Sequence, residues 1–142
     1  MATFTKFHSF IQRLGNKEID LDTDVFKAYL SNVAPNAATH TDKSHITEIS
    51  GGNGYSTGGV TLTAVTWAET GTDTGIWRWS AADISWTASG GDIAAHRYLI
   101  IYDDTHANDA LVGYVDRGSS AVISNGNTRT WDIGTNGLLQ VS

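Results

Sequence analysis

The sequence predicts an all-β fold with one short N-terminal helix, built as an antiparallel β-sandwich of jelly-roll-like form. Three observations carry that expectation. Apolar residues recur with a period of two in several short runs beyond residue 24, as half-buried strands require. Turn residues separate the runs, with many of the 15 glycines between them and Gly90-Gly91, Asn125-Gly126 and Asn136-Gly137 placed for tight reversals. No helical period lies between the runs, which argues against βαβ crossovers and a parallel sheet.

Taken in order, the chain opens on Phe7, Phe10, Ile11 and Leu14, the spacing of one helix face. Thr3 or Thr5 can cap the start and Gly15 suits the end, so a helix is expected over about residues 4–15. Its stripe either packs on the body of the domain or docks on a partner chain. In "DVFKAYLSN" the period changes to two: Phe26, Ala28 and Leu30 share one face, Lys27 and Ser31 the other. A long loop, 34–59, follows, with only Ile46 and Ile49 as an apolar island. Loops of that length inside a domain are uncommon and usually functional or mobile. It reads as a flexible polar connection that leaves Tyr55 exposed.

After Gly59 come "VTLTAVTW", "GIWRWS", "ISWTAS", "DIAAHRYLIIYDD", "ALVGYVDRG", "TRTWDIG" and "LLQVS", each a strand candidate. Residues 93–102 are apolar in both registers, so that strand needs cover on both faces, and the N-terminal helix is the available cover for the outer one.

The bulk numbers set limits. At 142 residues and 15.2 kDa the chain is expected to form one domain, 1–142, burying roughly two-thirds of its extended surface. A hydrophobic content of 40% with five tryptophans supports a core, and with no cysteine that core rests on packing alone. The net charge is −6 and the nine Lys and Arg are scattered, so no nucleic-acid partner is expected. No membrane partner is expected either: there is no apolar run of about 20 residues, and "MATFTKFHSF" lacks the pattern of a secretory signal, in keeping with synthesis in a cytoplasm. Only 17% of residues are charged, against a usual ~25%, so the exterior is hydroxyl-rich.

Motifs for chemistry are missing. "EISGGNGYSTGG" has the glycine spacing of a phosphate loop at Gly54 and Gly59, but Val60 stands where the lysine belongs. The G-x-G-x-x-G reading fails at Thr57. Asp103, Asp104, His106 and Asp109 in "YDDTHAND" are ligand types suited to a cation, yet the EF-hand glycine and glutamate are lacking, and a solvated turn is the simpler reading. His40 and His45 fit no metal motif, no nucleophile elbow occurs, and nothing marks two carboxylates as a glycosidase pair. No enzyme activity, cofactor or metal is expected, leaving a hydrolase only as an unmarked alternative. Trp77 and Trp79 share one strand face opposite Ile76 and Arg78. Facing water they would form a platform for sugars or a partner protein; facing inward, as the burial of indoles favours, they are core.

The segments "KFHSFIQRLGNKEIDLDTDVFKAYLSNVAPNAATH", "ITEISGGNGYSTGGVTL", "ISWTASGGDIAAHRYLIIYDDT" and "LVGYVDRGSS" together resemble small structural proteins encoded beside the major capsid gene of tailed bacteriophages. The likeness covers nearly the whole chain. It implies a head decoration, or cement, protein: a β-sandwich on the outer surface of the virion head that clamps neighbouring major capsid subunits, as a dimer or trimer. Asn53, Tyr55, Trp77 and Trp79 are the expected contact residues. A tail, fibre or baseplate component that reads sugars through Trp77 and Trp79 is the alternative.

Overall fold

The computed structural model describes residues 3–70 and 75–142. It is mostly β-structure with one α-helix. In chain order the elements are β1 (Phe4–Lys6), α1 (His8–Gly15), β2 (Phe26–Ser31), a 3₁₀ turn (Lys43–His45), β3 (Val60–Thr61), β4 (Thr66–Glu69), β5 (Trp77–Ser80), β6 (Ile84–Thr87), β7 (Ile93–Asp103), β8 (Ala110–Ile123), β9 (Thr128–Trp131) and β10 (Leu139–Val141). They form antiparallel sheets in the orders β1-β8-β7-β2-β3, β10-β5-β4 and β6-β9. This five-, three- and two-stranded grouping differs from the two four-stranded sheets of a jelly roll.

The five-stranded sheet is central and, as expected for residues 93–102, covered on both faces. Phe26, Ala28, Leu30, Leu99 and Ile101 lie on its inner face by register. Trp79 of β5 meets that face, edge-on to Phe26 at 4.8 Å between ring centres. Tyr29, Tyr98, Ile100 and Tyr102 form the outer face. There Phe7, at the start of α1, packs on Tyr114, and Tyr114 packs on Tyr98. The helix covers only part of this face. The rest is covered by the segment before β3, whose Ile46 is buried and receives a hydrogen bond from the Tyr29 hydroxyl.

Two boundaries differ from the sequence reading. Residues 4–6 are a strand, not the first turn of the helix, because they pair with the edge of β8, Phe4 opposite Val115. The helix therefore starts at His8 without a threonine cap, and its first amide donates to the Ala37 carbonyl. "VTLTAVTW" is two strands in two sheets, broken near Ala64, whose φ of 51° ends the extended run.

The loop 34–59 is the larger correction. It is bonded to the sheet and does not leave Tyr55 exposed. Strand β3 pairs only with Lys27 and Ala28, leaving the edge of β2 beyond them open. The loop closes that edge: the Ile49 amide donates to the Leu30 carbonyl at 3.0 Å, and the Leu30 amide donates to the Tyr55 hydroxyl at 3.0 Å. Unpaired strand edges are sites of misassociation, and covering one with a loop is a common remedy. The glycines serve this path. Gly52 and Tyr55 exchange backbone hydrogen bonds around Asn53 (φ 58°) and Gly54 (φ 98°), a two-residue Asn-Gly reversal with positive φ at both positions.

Candidate interaction surface

Of the four predicted contact residues, the structure buries two. Tyr55 is 2% exposed. Its hydroxyl donates to Glu48 Oε1 at 2.6 Å, and Glu48 also accepts from the Gly58 amide and from Lys43 Nζ. Burial, with the Glu48 hydrogen bond second, pushes the Tyr55 phenol well above its ordinary value. The expectation of an exposed Tyr55 fails because its ring packs against Trp86 and its hydroxyl terminates a sheet edge. Asn53 is exposed but occupied: its Nδ2 donates to the Asp92 carbonyl and its own carbonyl accepts from the Ser89 amide, docking the reversal onto the turn after β6.

The tryptophan pair divides. Trp77 and Trp79 do share a face, but Trp79 is fully buried while Trp77 is 40% exposed. Neither alternative, both inward or both outward, describes them. The same strand face is core at Trp79 and surface at Trp77. The register extends the exposed part. Val141 of β10 stands opposite Trp77, and Trp67 of β4 lies diagonally across, its ring centre 5.5 Å from that of Trp77. Val141 is 46% exposed. Leu14 of α1 lines a shallow groove with Val141 and Trp67, and Ile11, 54% exposed, lines a second groove with Leu14 and Val141. One apolar strip therefore runs from α1 across the end of β10 to two indoles. Ile11 belonged to the apolar stripe of the helix, read as packing on the domain or docking on a partner; Phe7 and Phe10 of that stripe are deeply buried and Ile11 is not.

Sequence reasoning identified Trp77 but missed Trp67, Val141 and Ile11 as its neighbours. Only strand pairing brings them together. Large apolar groups in one contiguous exposed patch mark contact surfaces more than scattered ones do.

The acidic turn after β7 is structural. Asp103 is buried; its Oδ1 accepts from the Thr105 and His106 amides, an Asx turn, while Oδ2 is buried without a hydrogen-bond partner. Burial first, and then the Asp24 carboxyl beside it, pushes Asp103 up to about 7. Asp104 pairs with Lys27 at 3.3 Å and His106 faces Glu18 at 3.4 Å. Among the described residues no three His, Asp or Glu side chains converge as a metal site would require. His40 and His45 lie with tilted rings 6.1 Å apart in the loop, where His45 Nδ1 accepts from the Thr41 amide.

No protein-family model matches the chain, and no curated protein or solved structure gives a significant match.

Proposed function

We propose that the protein is a virion component that binds other polypeptides: a decoration protein on the outer surface of a tailed-bacteriophage head, bridging major capsid subunits. The observation that carries this reading is the apolar strip of exposed Ile11, Trp77 and Val141 with half-buried Trp67 beside them, on an otherwise hydroxyl-rich, cross-braced sandwich. A rigid aromatic anchor with aliphatic neighbours is the usual centre of a protein contact. The resemblance of the sequence to small capsid-linked phage proteins supplies the partner. Pairing into dimers or trimers would repeat the strip around a shell symmetry axis, so that individually modest contacts add through multivalency.

The test is co-sedimentation with undecorated heads. Trp77→Ala combined with Val141→Asp should weaken retention on the shell at least tenfold, since a central aromatic anchor contributes about 2 kcal/mol or more. Melting should be little changed, because neither residue is core. Full retention by this variant would remove the strip from the account. The Trp67–Trp77 pair also favours a second reading, a tail or fibre subunit that stacks sugars on the two indoles. A saturable tryptophan fluorescence response to a glycan panel, abolished by Trp77→Ala, would select that reading over the shell.

A further inference from the structure

Two arginines occupy positions that the strand pattern reserves for apolar residues. Val115 and Arg117 lie two apart on β8 and therefore face the same way, toward the core. On β9, Arg129 lies opposite Trp86 and Trp131 lies opposite Ile84, so Arg129 shares the inward face with three buried apolar side chains. Both arginines are half-buried, and a charge turned toward a core is usually paired. These are not: neither guanidinium has an ion pair or hydrogen bond to any described residue, and Arg117 Nη1 and Arg129 Nε are buried without partners. Nearby acids are engaged elsewhere. Asp116 holds Arg97 through two hydrogen bonds, and Asp132 directs Oδ1 to the Gly134 amide.

The fold presents them deliberately. Between the pairs His96 with Ala121 and Tyr98 with Asp116, two steps along β7 are matched by five along β8. This large bulge begins at Arg117 and turns through Gly118 at φ 90°. Bulges re-aim side chains and are over-represented beside functional sites. Here the bulge leaves Arg117 beside Arg129 on a cleft of about 270 Å³, walled by Leu99, Val115, Trp131 and Ile133, with Asp132 also in its lining. The Trp131 indole N–H and His96 Nε2 are also buried without partners, with the His96 ring 6.5 Å from that of Trp131 and its Nδ1 at the Ala94 carbonyl. Residues with unsatisfied groups, Arg117 on β8 and Arg129 and Trp131 on β9, thus line one opening, and two of them are full positive charges held together, with His96 behind Trp131.

We propose that this cleft is an anion-binding site whose ligand is a carboxylate on a compact, partly apolar body, gripped by Arg117 and Arg129 and resting against Trp131. The planar fork of a guanidinium matches a carboxylate, and one anion between two such forks relieves their mutual repulsion. At about 30 Å³ per water, the cleft holds roughly nine water-sized volumes, enough for a carboxylate with a six-membered ring. The apolar walls favour such a ligand over a bare, strongly hydrated ion. This inference stands apart from the capsid reading, since the cleft does not include the Trp77 strip.

The experiment is a benzoate titration of the intact protein, followed by ¹H–¹⁵N spectra of the Trp131 indole and arginine Nε–H groups, with benzamide as the uncharged isostere. Saturable movement of these signals is expected with benzoate and none with benzamide. Arg117→Met and Arg129→Met should each weaken binding about tenfold or more, the loss of one charge-assisted contact. The benzamide comparison uses the native chain, so it holds even where a variant folds poorly. An equal response to both compounds, no saturable response to benzoate, or tighter binding of inorganic phosphate than of benzoate would overturn the proposal. Competition by glucuronate would identify a sugar acid as the source of the carboxylate, and competition by N-acetylglutamate an acidic side chain. Displacement by neither would leave a carboxylate on an apolar body, as in benzoate itself, as the ligand.

Discussion

Replacing Asp103 by asparagine should make the protein more stable near pH 8 and flatten its response to pH. The side chain is wholly buried, and its elevation from 3.8 to about 7 arises first from burial and then from the Asp24 carboxyl. Below pH 3.8 the group is protonated in both the folded and the unfolded chain, and no penalty exists. Between that value and about 7 the unfolded chain loses the proton while the folded one keeps it, so stability falls as pH rises; above about 7 the loss is complete. At about 1.4 kcal/mol per pH unit the interval corresponds to on the order of 4 kcal/mol, and water entering on ionisation brings the expected loss to roughly 2–4 kcal/mol. Asparagine keeps an oxygen for the Thr105 and His106 amides and turns an N–H toward Asp24. Urea denaturation of both proteins at intervals from pH 4 to 8 reads the effect as a difference. The contribution from His96, whose titration is also displaced, is common to both chains and cancels. Parallel stability curves, or a variant less stable than the native chain at pH 8, would refute the reasoning.

Other expectations concern single residues. Trp79→Ala should cost about 3–5 kcal/mol in chemical denaturation, whereas Trp77→Ala should stay within about 1 kcal/mol, despite their shared strand face. Tyr55→Phe keeps the ring but strips the Leu30 amide and Glu48 of a buried partner, and should cost about 1–3 kcal/mol by the same measurement. Gly113→Val should destabilise by about 1–3 kcal/mol, read from the melting temperature, because a Cβ there meets the Phe4 ring that lies over the glycine. His96 should titrate below its ordinary value of 6.5 in an NMR titration, held down first by burial and also by Arg117 and Arg129. Its protonation works against folding, so its contribution falls as pH drops through that range.

Much of the architecture was legible because strand periodicity reports burial directly. "ISWTAS" alternates cleanly, and Ile84, Trp86 and Ala88 are all buried with Ser85 and Thr87 outside. The two-register apolar content of 93–102 correctly demanded cover on both faces. What periodicity could not supply was the identity of all the cover. Loop 34–59 looked like solvent because it is rich in Gly, Ser, Thr and Asn, yet its hydrogen-bonding groups are spent on an open strand edge, a requirement visible only once β3 is known to be so short. Asn53-Gly54 was the available clue, the same dipeptide that marked the reversals at residues 125 and 136. The apolar strip and the arginine cleft escaped for a related reason. Each is assembled across strands distant in sequence, and Arg117 and Arg129 draw notice only when the register places them among Val115, Trp86 and Trp131.

The pairing of β1 with β8 has a consequence for how the chain is made. Phe4 waits for Val115, and the edge of β2 waits for β7, so the centre of the largest sheet is the last part of it to leave the ribosome. At roughly 5–20 residues per second that is a delay of several seconds, during which the aromatic N-terminal segment has no strand to lie on. Native assembly of this sheet is thereby postponed until β8 has been made, and a chaperone that shields Phe4, Phe7 and Phe10 in the interval would raise the yield of folded protein.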